Sequence, residues 1–422
     1  MEFSMQHPMR ITRTQLADGR ELLYFDDTPE FVSGERTRKL VDERELPTAT
    51  SASELRQDPL TGAWYTYAAH RMNRTFLPPA NENPLAPTRP GQLPTEIPAD
   101  DYDVVVFQNR FPSLAQAESQ AGLGADSGLD AGSSPATGTA KPAFVPSKPG
   151  HGRCEVVCFT PDSQVSFRDL PYTRARTIVE AWAHRTKELS ALPGIEYVYP
   201  FENRGEEIGV TLQHPHGQIY AYPFVPERAA QIAARTQEFR EAQGGSGAGA
   251  GTGGAETGPD LFDHILECEH ADGQRVVVQG EYFTAFVPAA AKWPVEIMLV
   301  PHRAVPNFAE LHDAEKDELT QMYLDILGRM DRFFDGVERT PYIASWNQAP
   351  VNAPEDGRLH LQLFSLMRSP GRMKFLAGSE SGQGAWISDT TPERIAARFR
   401  EVAENEYTEN QLTEKEVTQH DG

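Results

Sequence analysis

Along the chain the order strand, helix, strand, strand occurs twice, and few architectures satisfy such a repeat. Runs rich in β-branched and aromatic residues mark "RCEVVCF" (153–159), "IEYVYPF" (195–201), "IGVTL" (208–212) and "GQIYAYPF" (217–224) as strands. Pro171 to Leu192 reads as a helix. Asp169 is placed to cap it, Pro171 suits its first turn, and Ile178, Trp182 and Leu189 recur at helical spacing. The order returns with strands "YFTAFVP" (282–288) and "VEIMLVP" (295–301). A helix opened by Asp313 follows, with Leu319, Met322, Ile326, Met330 and Phe333 on one face, then strands "PYIASW" (341–346) and "RLHLQLFSL" (358–366). Thr391 and Pro392 start a last helix through Ile395, Phe399 and Val402. Two such units predict a duplicated α+β fold, mainly antiparallel sheet with flanking helices. Superposing them sets "HPHGQIYAY" against "LHLQLFSL", so that His214 faces His360 and His216 faces Gln362. Since any α+β chain can be parsed this way, function has to be sought in particular residues.

The bulk composition narrows the search. With 422 residues and 39% hydrophobic content, the chain can build one large core or two small ones. A net charge of -22 disfavours nucleic acid as a partner, because its phosphates would be repelled. A small anion remains possible where a few arginines or lysines converge. Cys154, Cys158 and Cys268 form no CxxC pair and suggest no disulfide framework. With no apolar leader in "MEFSMQHPMRITRTQ", the expected location is the cytoplasm. The apolar runs are too short to span a bilayer. Residues 117–140 and 243–258 are low in complexity and read as flexible surface loops. The expected organisation is an N-terminal extension (1–50) and a first half (51–242) with a loop at about 117–149. A glycine-rich loop (243–258), a second half (259–406) and a polar tail (407–422) complete it.

The chemistry concentrates in "TLQHPHGQIYAY" (211–222). Residues two apart on a strand share a face, so His214, His216 and Gln218 project together. Pro215 keeps His214 extended, and Gly217 permits close approach of a backbone or ligand. A neutral imidazole is a competent nucleophile, and its attack on phosphorus gives a labile phosphoramidate. That chemistry needs an acceptor on the second ring nitrogen and donors around the phosphoryl oxygens, one of which Gln218 could supply. Metal ligation and simple packing remain open for an isolated HxH.

The string resembles the galactose-1-phosphate uridylyltransferase family, a branch of the histidine-triad superfamily, over most of residues 55 to 406. The resemblance is carried by "DPLTGAWYTYAAHRMNR" (58–74), "FQNRF" (107–111), "FENRGEEIGVTLQHPHGQIYAYPFVP" (201–226), "WPVEIMLVP" (293–301) and "RMKFLAGSE" (372–380). It implies a double displacement in which His216 attacks the α-phosphorus of UDP-glucose, releases glucose 1-phosphate, and passes the uridylyl group to galactose 1-phosphate. By the same carry-over Gln218 donates to phosphoryl oxygens; His214, left without the family's other zinc ligands, is free to orient the strand by hydrogen bonding. Arg71, Arg74, Asn109, Asn203, Gly209 and Thr211 line the nucleotide and phosphate path, with Phe107 as the base contact. Lys374 and Glu380 correspond to groups that hold the hexose phosphate across a homodimer interface.

The sequence also departs from the family. The family's zinc ligands would fall at Pro84, Pro87, Ser163 and His214, and one imidazole does not make a zinc site. A second metal site would fall near Ile232, His360 and Gln362, with His302 out of register. No metal or other cofactor is therefore expected. Arg110 stands where an acidic residue would meet the ribose, and Ser379 where an aromatic hydroxyl would meet the sugar phosphate. Cys154 and Cys158 read as core thiols, His70 and His151 as solvated, and Trp182 and Trp293 as packing residues. Two alternatives stay open: a related nucleotidyl-sugar phosphorylase that uses phosphate as acceptor, and a catalytically silent nucleotide-binding protein.

Overall fold

The computed structural model describes residues 7–47, 53–73, 82–115, 144–244 and 260–403. The loop expected at 117–140, most of 243–258, Arg74 and the tail 407–422 lie outside the described residues. The elements run β1 (Arg10–Gln15), β2 (Glu21–Asp26), α1 (Pro29–Ser33), β3 (Glu54–Gln57), β4 (Trp64–Tyr67), β5 (Val104–Gln108), β6 (Ser147–Pro149) and β7 (Arg153–Cys158). They continue with α2 (Tyr172–Ser190), β8 (Tyr197–Arg204), β9 (His216–Tyr222), α3 (Glu227–Ala242), α4 (Leu261–Asp272), β10 (Val276–Gln279), β11 (Phe283–Phe286) and β12 (Val295–Pro301). The last are α5 (Asp313–Asp331), β13 (Tyr342–Asn347), β14 (His360–Ser365), β15 (Met367–Ser369), β16 (Arg372–Met373), α6 (Gly378–Gln383) and a helix over 392–403. Among the described residues, no helix is long and apolar enough to cross a membrane.

One antiparallel sheet of eleven strands, ordered β1-β2-β5-β7-β9-β8-β13-β14-β12-β11-β10, holds both units. The order β5-β7-β9-β8 is met by its reverse, β13-β14-β12-β11, and the units join where β8 pairs β13 with Asn203 opposite Ile343. The duplicated α+β reading therefore describes the architecture. Helices α2 and α5 pack together over one face of the sheet. Between them, Phe167 stacks on Trp182, and Phe308, Tyr323 and Trp346 close around that pair. Burial of each such ring contributes roughly 1.5–3 kcal/mol, enough to fix how the helices sit against the strands.

Four expectations change. "IGVTL" (208–212) is not a strand. Gly205 and Gly209 have positive φ, 109° and 84°, and a short 3-10 turn (Glu206–Ile208) lies between them. A Cβ at Gly205 would come within 2.6 Å of Pro341, so the chain can turn there only as glycine. Asp169 does not cap α2. Its carboxylate closes a capping box with Ser166 one turn earlier, and Pro171 precedes α2. Phe333 lies past the end of α5 and packs on Phe399 of the last helix. Residues 7–47, read as a polar extension, add β1 and β2 to the sheet beside β5.

Candidate active site

Burial alternates along β9. Gly217, Ile219 and Ala221 face the helices, while His216, Gln218, Tyr220 and Tyr222 face the other side. The ladder sets Phe107 of β5 opposite Val156 of β7, and Val156 opposite Gln218. These side chains form a row across three strands on the face opposite α2 and α5. A cavity of about 310 Å³ opens over this row. It is lined by Arg71, Phe107, Asn109, Thr211, His216 and Gln218, six of the residues marked in the sequence. Five chain segments converge to build it.

His216 sits at the first position of β9, where the strand leaves Pro215. Its Nδ1 lies 2.6 Å from the carbonyl oxygen of His214. A carbonyl only accepts, so Nδ1 carries the proton and Nε2 keeps its lone pair. Burial pushes the His216 pKa down, partly opposed by this hydrogen bond, so the ring stays neutral. Behind it Gly217 is packed tightly. A Cβ there would come within 2.9 Å of Phe159 and 3.0 Å of the Phe201 carbonyl.

His214 is buried and faces away from the cavity. Its Nδ1 is 2.9 Å from Asn83 Nδ2, and its Nε2 is 2.8 Å from both the Thr160 carbonyl and the Tyr102 hydroxyl. Burial pushes its pKa down to about 4. His360, its partner in the superposed units, is also buried with a pKa lowered by burial to about 4.

The other marked residues fall into two groups. Arg71 lies in a 3-10 turn (Ala69–Asn73), and its charge partly offsets the burial that raises the pKa of Tyr220 on the His216 face. Asn109 Oδ1 accepts from the Phe111 amide and so fixes the turn that follows β5. Asn203 follows Glu202, whose partner is Gly217, and alternation puts Asn203 on the His216 face. Gly209 ends the 3-10 turn that leads to Thr211. Lys374 and Glu380 are elsewhere. They form a 3.0 Å ion pair, and Lys374 borders a separate cavity of about 780 Å³ with Arg368, Arg372 and Arg394. Arg74 lies outside the described residues.

Three residues the sequence reading passed over belong to this region. Glu96 lines the cavity and stands 3.5 Å from Arg110. Burial opposes its ionisation, but Arg20 and Arg44 outweigh it and hold its carboxyl below the usual range. An acidic group thus reaches the cavity from another segment beside Arg110. Asn83 and Tyr102 are the others, and they satisfy the buried His214 ring. His70 and His151 are not free in solvent, since each bonds a backbone carbonyl, of Pro112 and Pro193. Cys154 and Cys158 are buried thiols. Trp182 belongs to the core, and Trp293 stacks on Phe364.

Zinc does not fit at His214. Prolines at 84 and 87 offer no side-chain donor, and Ser163 bonds only its neighbour Gln164. Both nitrogens of His214 are already engaged. At the second family position, Gln362 donates to Glu296, His360 bonds the Arg358 carbonyl, and His302 bonds Thr284 and the Glu281 carbonyl. Among the described residues no three His, Cys, Asp or Glu side chains gather to hold a metal.

Known proteins place the chain in a group. Residues 42–226 match the profile of the galactose-1-phosphate uridyl transferase N-terminal domain, and residues 249–411 match that of its C-terminal domain. The galactose-1-phosphate uridylyltransferase of Streptomyces lividans is 41% identical over 404 residues, covering 94% of this chain and 99% of that protein. The enzyme of the same name from Thermotoga maritima is 31% identical, covering 83% and 98%. A solved structure of a uridylyltransferase superposes with a TM-score of 0.67 at 29% identity, covering 83% of this chain and 99% of the other. With both halves matched in order and the fold shared, the chain belongs to the galactose-1-phosphate uridyl transferase family.

Proposed function

We propose that the protein transfers a uridylyl group from UDP-glucose to galactose 1-phosphate by way of a covalent uridylyl-His216. The observation that carries this reading is the neutral His216, with Nδ1–H given to the His214 carbonyl and Nε2 free in a cavity shared with Arg71 and Gln218. In the first step the Nε2 lone pair forms a bond to the α-phosphorus. The bond from that phosphorus to the bridging oxygen breaks, and glucose 1-phosphate leaves with the oxygen and its electron pair. In the second step a phosphate oxygen of galactose 1-phosphate attacks the same phosphorus, and the P–N bond returns its electrons to Nε2. Free His216 and UDP-galactose result.

The residues then divide the work. Gln218 donates from its amide to a non-bridging oxygen, and Arg71 offers a planar fork to the phosphates. Phe107 forms an apolar wall for the base, with Asn109, Asn203, Gly209, Thr211 and Arg74 along the nucleotide path. The transfer is mainly positioning and charge stabilisation, so no metal or other cofactor is required. Lys374 and Glu380 hold the hexose phosphate of the partner subunit in a cytoplasmic homodimer, which accounts for their distance from the chain's own His216 cavity. Nucleic acid and membrane are not partners in this reading.

Incubation with UDP-glucose alone tests it. Intact-mass measurement is expected to show one added uridylyl group, absent in His216→Gly. A wild-type protein that gains no mass would refute the mechanism. Turnover with inorganic phosphate but not with galactose 1-phosphate would assign the phosphorylase activity instead.

A further inference from the structure

We propose that Asn83 and Tyr102 are positioning residues for the nucleophile, and that they lock His214 by hydrogen bonds alone, where the family's metal would sit. The proposal rests on the reading of His216 as nucleophile. Matched donors and acceptors define the lock. The Leu85 amide donates to Asn83 Oδ1 at 3.0 Å, which fixes the orientation of the Asn83 side chain. Its Nδ2 therefore faces His214 and donates to Nδ1. Nδ1 is the acceptor, so Nε2 carries the His214 proton. That proton is shared between the Thr160 carbonyl and the Tyr102 oxygen. The Tyr102 hydroxyl in turn lies 3.0 Å from the Leu85 carbonyl and 2.8 Å from that of Thr160. The ring closes from Asn83 through His214 and Tyr102 back to Leu85.

The lock acts on chemistry through the backbone. The carbonyl of His214 is the acceptor that holds His216 Nδ1–H. If the His214 ring turns, its peptide moves, and the direction of the His216 lone pair moves with it. The same loop supplies Pro84 and Leu85 to the wall of the cavity. Cavity wall and nucleophile are thus tied together by one imidazole. A divalent cation would need a lone pair that this ring no longer offers, since one nitrogen accepts from Asn83 and the other is protonated.

The test is single-turnover formation of the His216 adduct from UDP-glucose, with ¹⁵N spectra of the histidine rings. In wild type, His214 is expected as the Nε2–H tautomer. Asn83→Ala and Tyr102→Phe are each expected to slow adduct formation about tenfold, the worth of roughly one hydrogen bond, with UDP-glucose affinity within about twofold of wild type. Asn83→Ala is also expected to mix the tautomers of His214. Joined, the two substitutions should cost less than the product of the singles, because both break one lock. Asn83→Asp keeps the size but presents an acceptor where a donor is needed. It serves as the second variant should Asn83→Ala not fold, and is expected to slow the adduct at least as much. A wild-type protein that forms no adduct overturns the nucleophile reading and the lock with it. Wild-type adduct rates in Asn83→Ala, Asn83→Asp and Tyr102→Phe overturn the lock alone, as does stoichiometric zinc whose removal abolishes activity.

Discussion

The Nδ1 of His216 lies 2.6 Å from the carbonyl oxygen of His214, so the two histidines of one motif do opposite work. One presents a lone pair to the cavity, and the other supplies the backbone acceptor that aims it. The His216 pKa is pushed below its ordinary value, first by burial. In the proposed mechanism protonation of His216 removes the nucleophile, so the rate of adduct formation should fall only on the acid side. Because the folded pKa is lowered, that fall should begin below about pH 6.5, where a solvated histidine would be half protonated. Single-turnover rates between pH 5 and 8 check this. A midpoint above 7 would show that a nearby carboxylate, not burial, governs the ring.

Gly217 tests how tightly His216 is held. Its Cβ position lies 2.9 Å from Phe159 and 3.0 Å from the Phe201 carbonyl, and neither is the loose end of a flexible side chain. Gly217→Ala is expected to force β9 away from β8, costing about 1–3 kcal/mol of stability as overpacked sites do. The loss of adduct formation should exceed what unfolding explains, since His216 is the adjacent residue. Thermal melts beside the adduct assay separate the two effects. An unchanged melting temperature would show that the strand has room to give.

What could be read from the string follows the range of the forces involved. That His216 and Gln218 share a face was legible because alternation on a strand is local, but His214, expected beside them, precedes β9 and is buried away from the cavity. The turn at 206–212 was not, because "IGVTL" has strand composition and is overruled by two positive-φ glycines and the wall of Pro341. Strand β2 was missed although nearly all of "ELLYFD" is buried, since its apolar run is short and its partner β1 is polar and exposed. Asn83 and Tyr102 lie 131 and 112 residues from His214, and no spacing in the string announces a contact formed only on folding. Lys374 and Glu380 were marked only through the family resemblance, and their ion pair lies apart from the His216 cavity.

Glu202, on the helix side of β8, gives a pH dependence of stability separate from catalysis. The Tyr342 and Tyr323 hydroxyls hold its carboxyl at 2.9 and 3.3 Å. Burial raises its pKa to about 7, partly offset by Arg204. The folded value is raised, so the unfolded chain ionises first as pH rises. This group's contribution is therefore complete below about pH 4.5 and is lost as pH climbs through 7. The difference is of the order of 3 kcal/mol between pH 4.5 and 8. Glu202→Gln should remove most of that slope. Urea melts of both proteins at several pH values measure it, and parallel curves would show that the Glu202 carboxyl titrates alike in the folded and unfolded chains.

Complementation between subunits tests whether Lys374 serves the other subunit. Its Nζ bonds Glu380 at 3.0 Å and the Ile387 carbonyl at 2.7 Å, on a segment that leaves Phe375 and Ile387 exposed. His216→Gly and Lys374→Ala should each be nearly inactive in the full reaction. In a two-fold dimer with shared sites, a mixed pair holds one site with both residues intact and one with neither. Random reassociation makes half the dimers mixed, so unfolding and refolding the two variants together should restore about a quarter of wild-type turnover. If Lys374 worked within its own chain, every site would lack one residue and mixing would restore nothing.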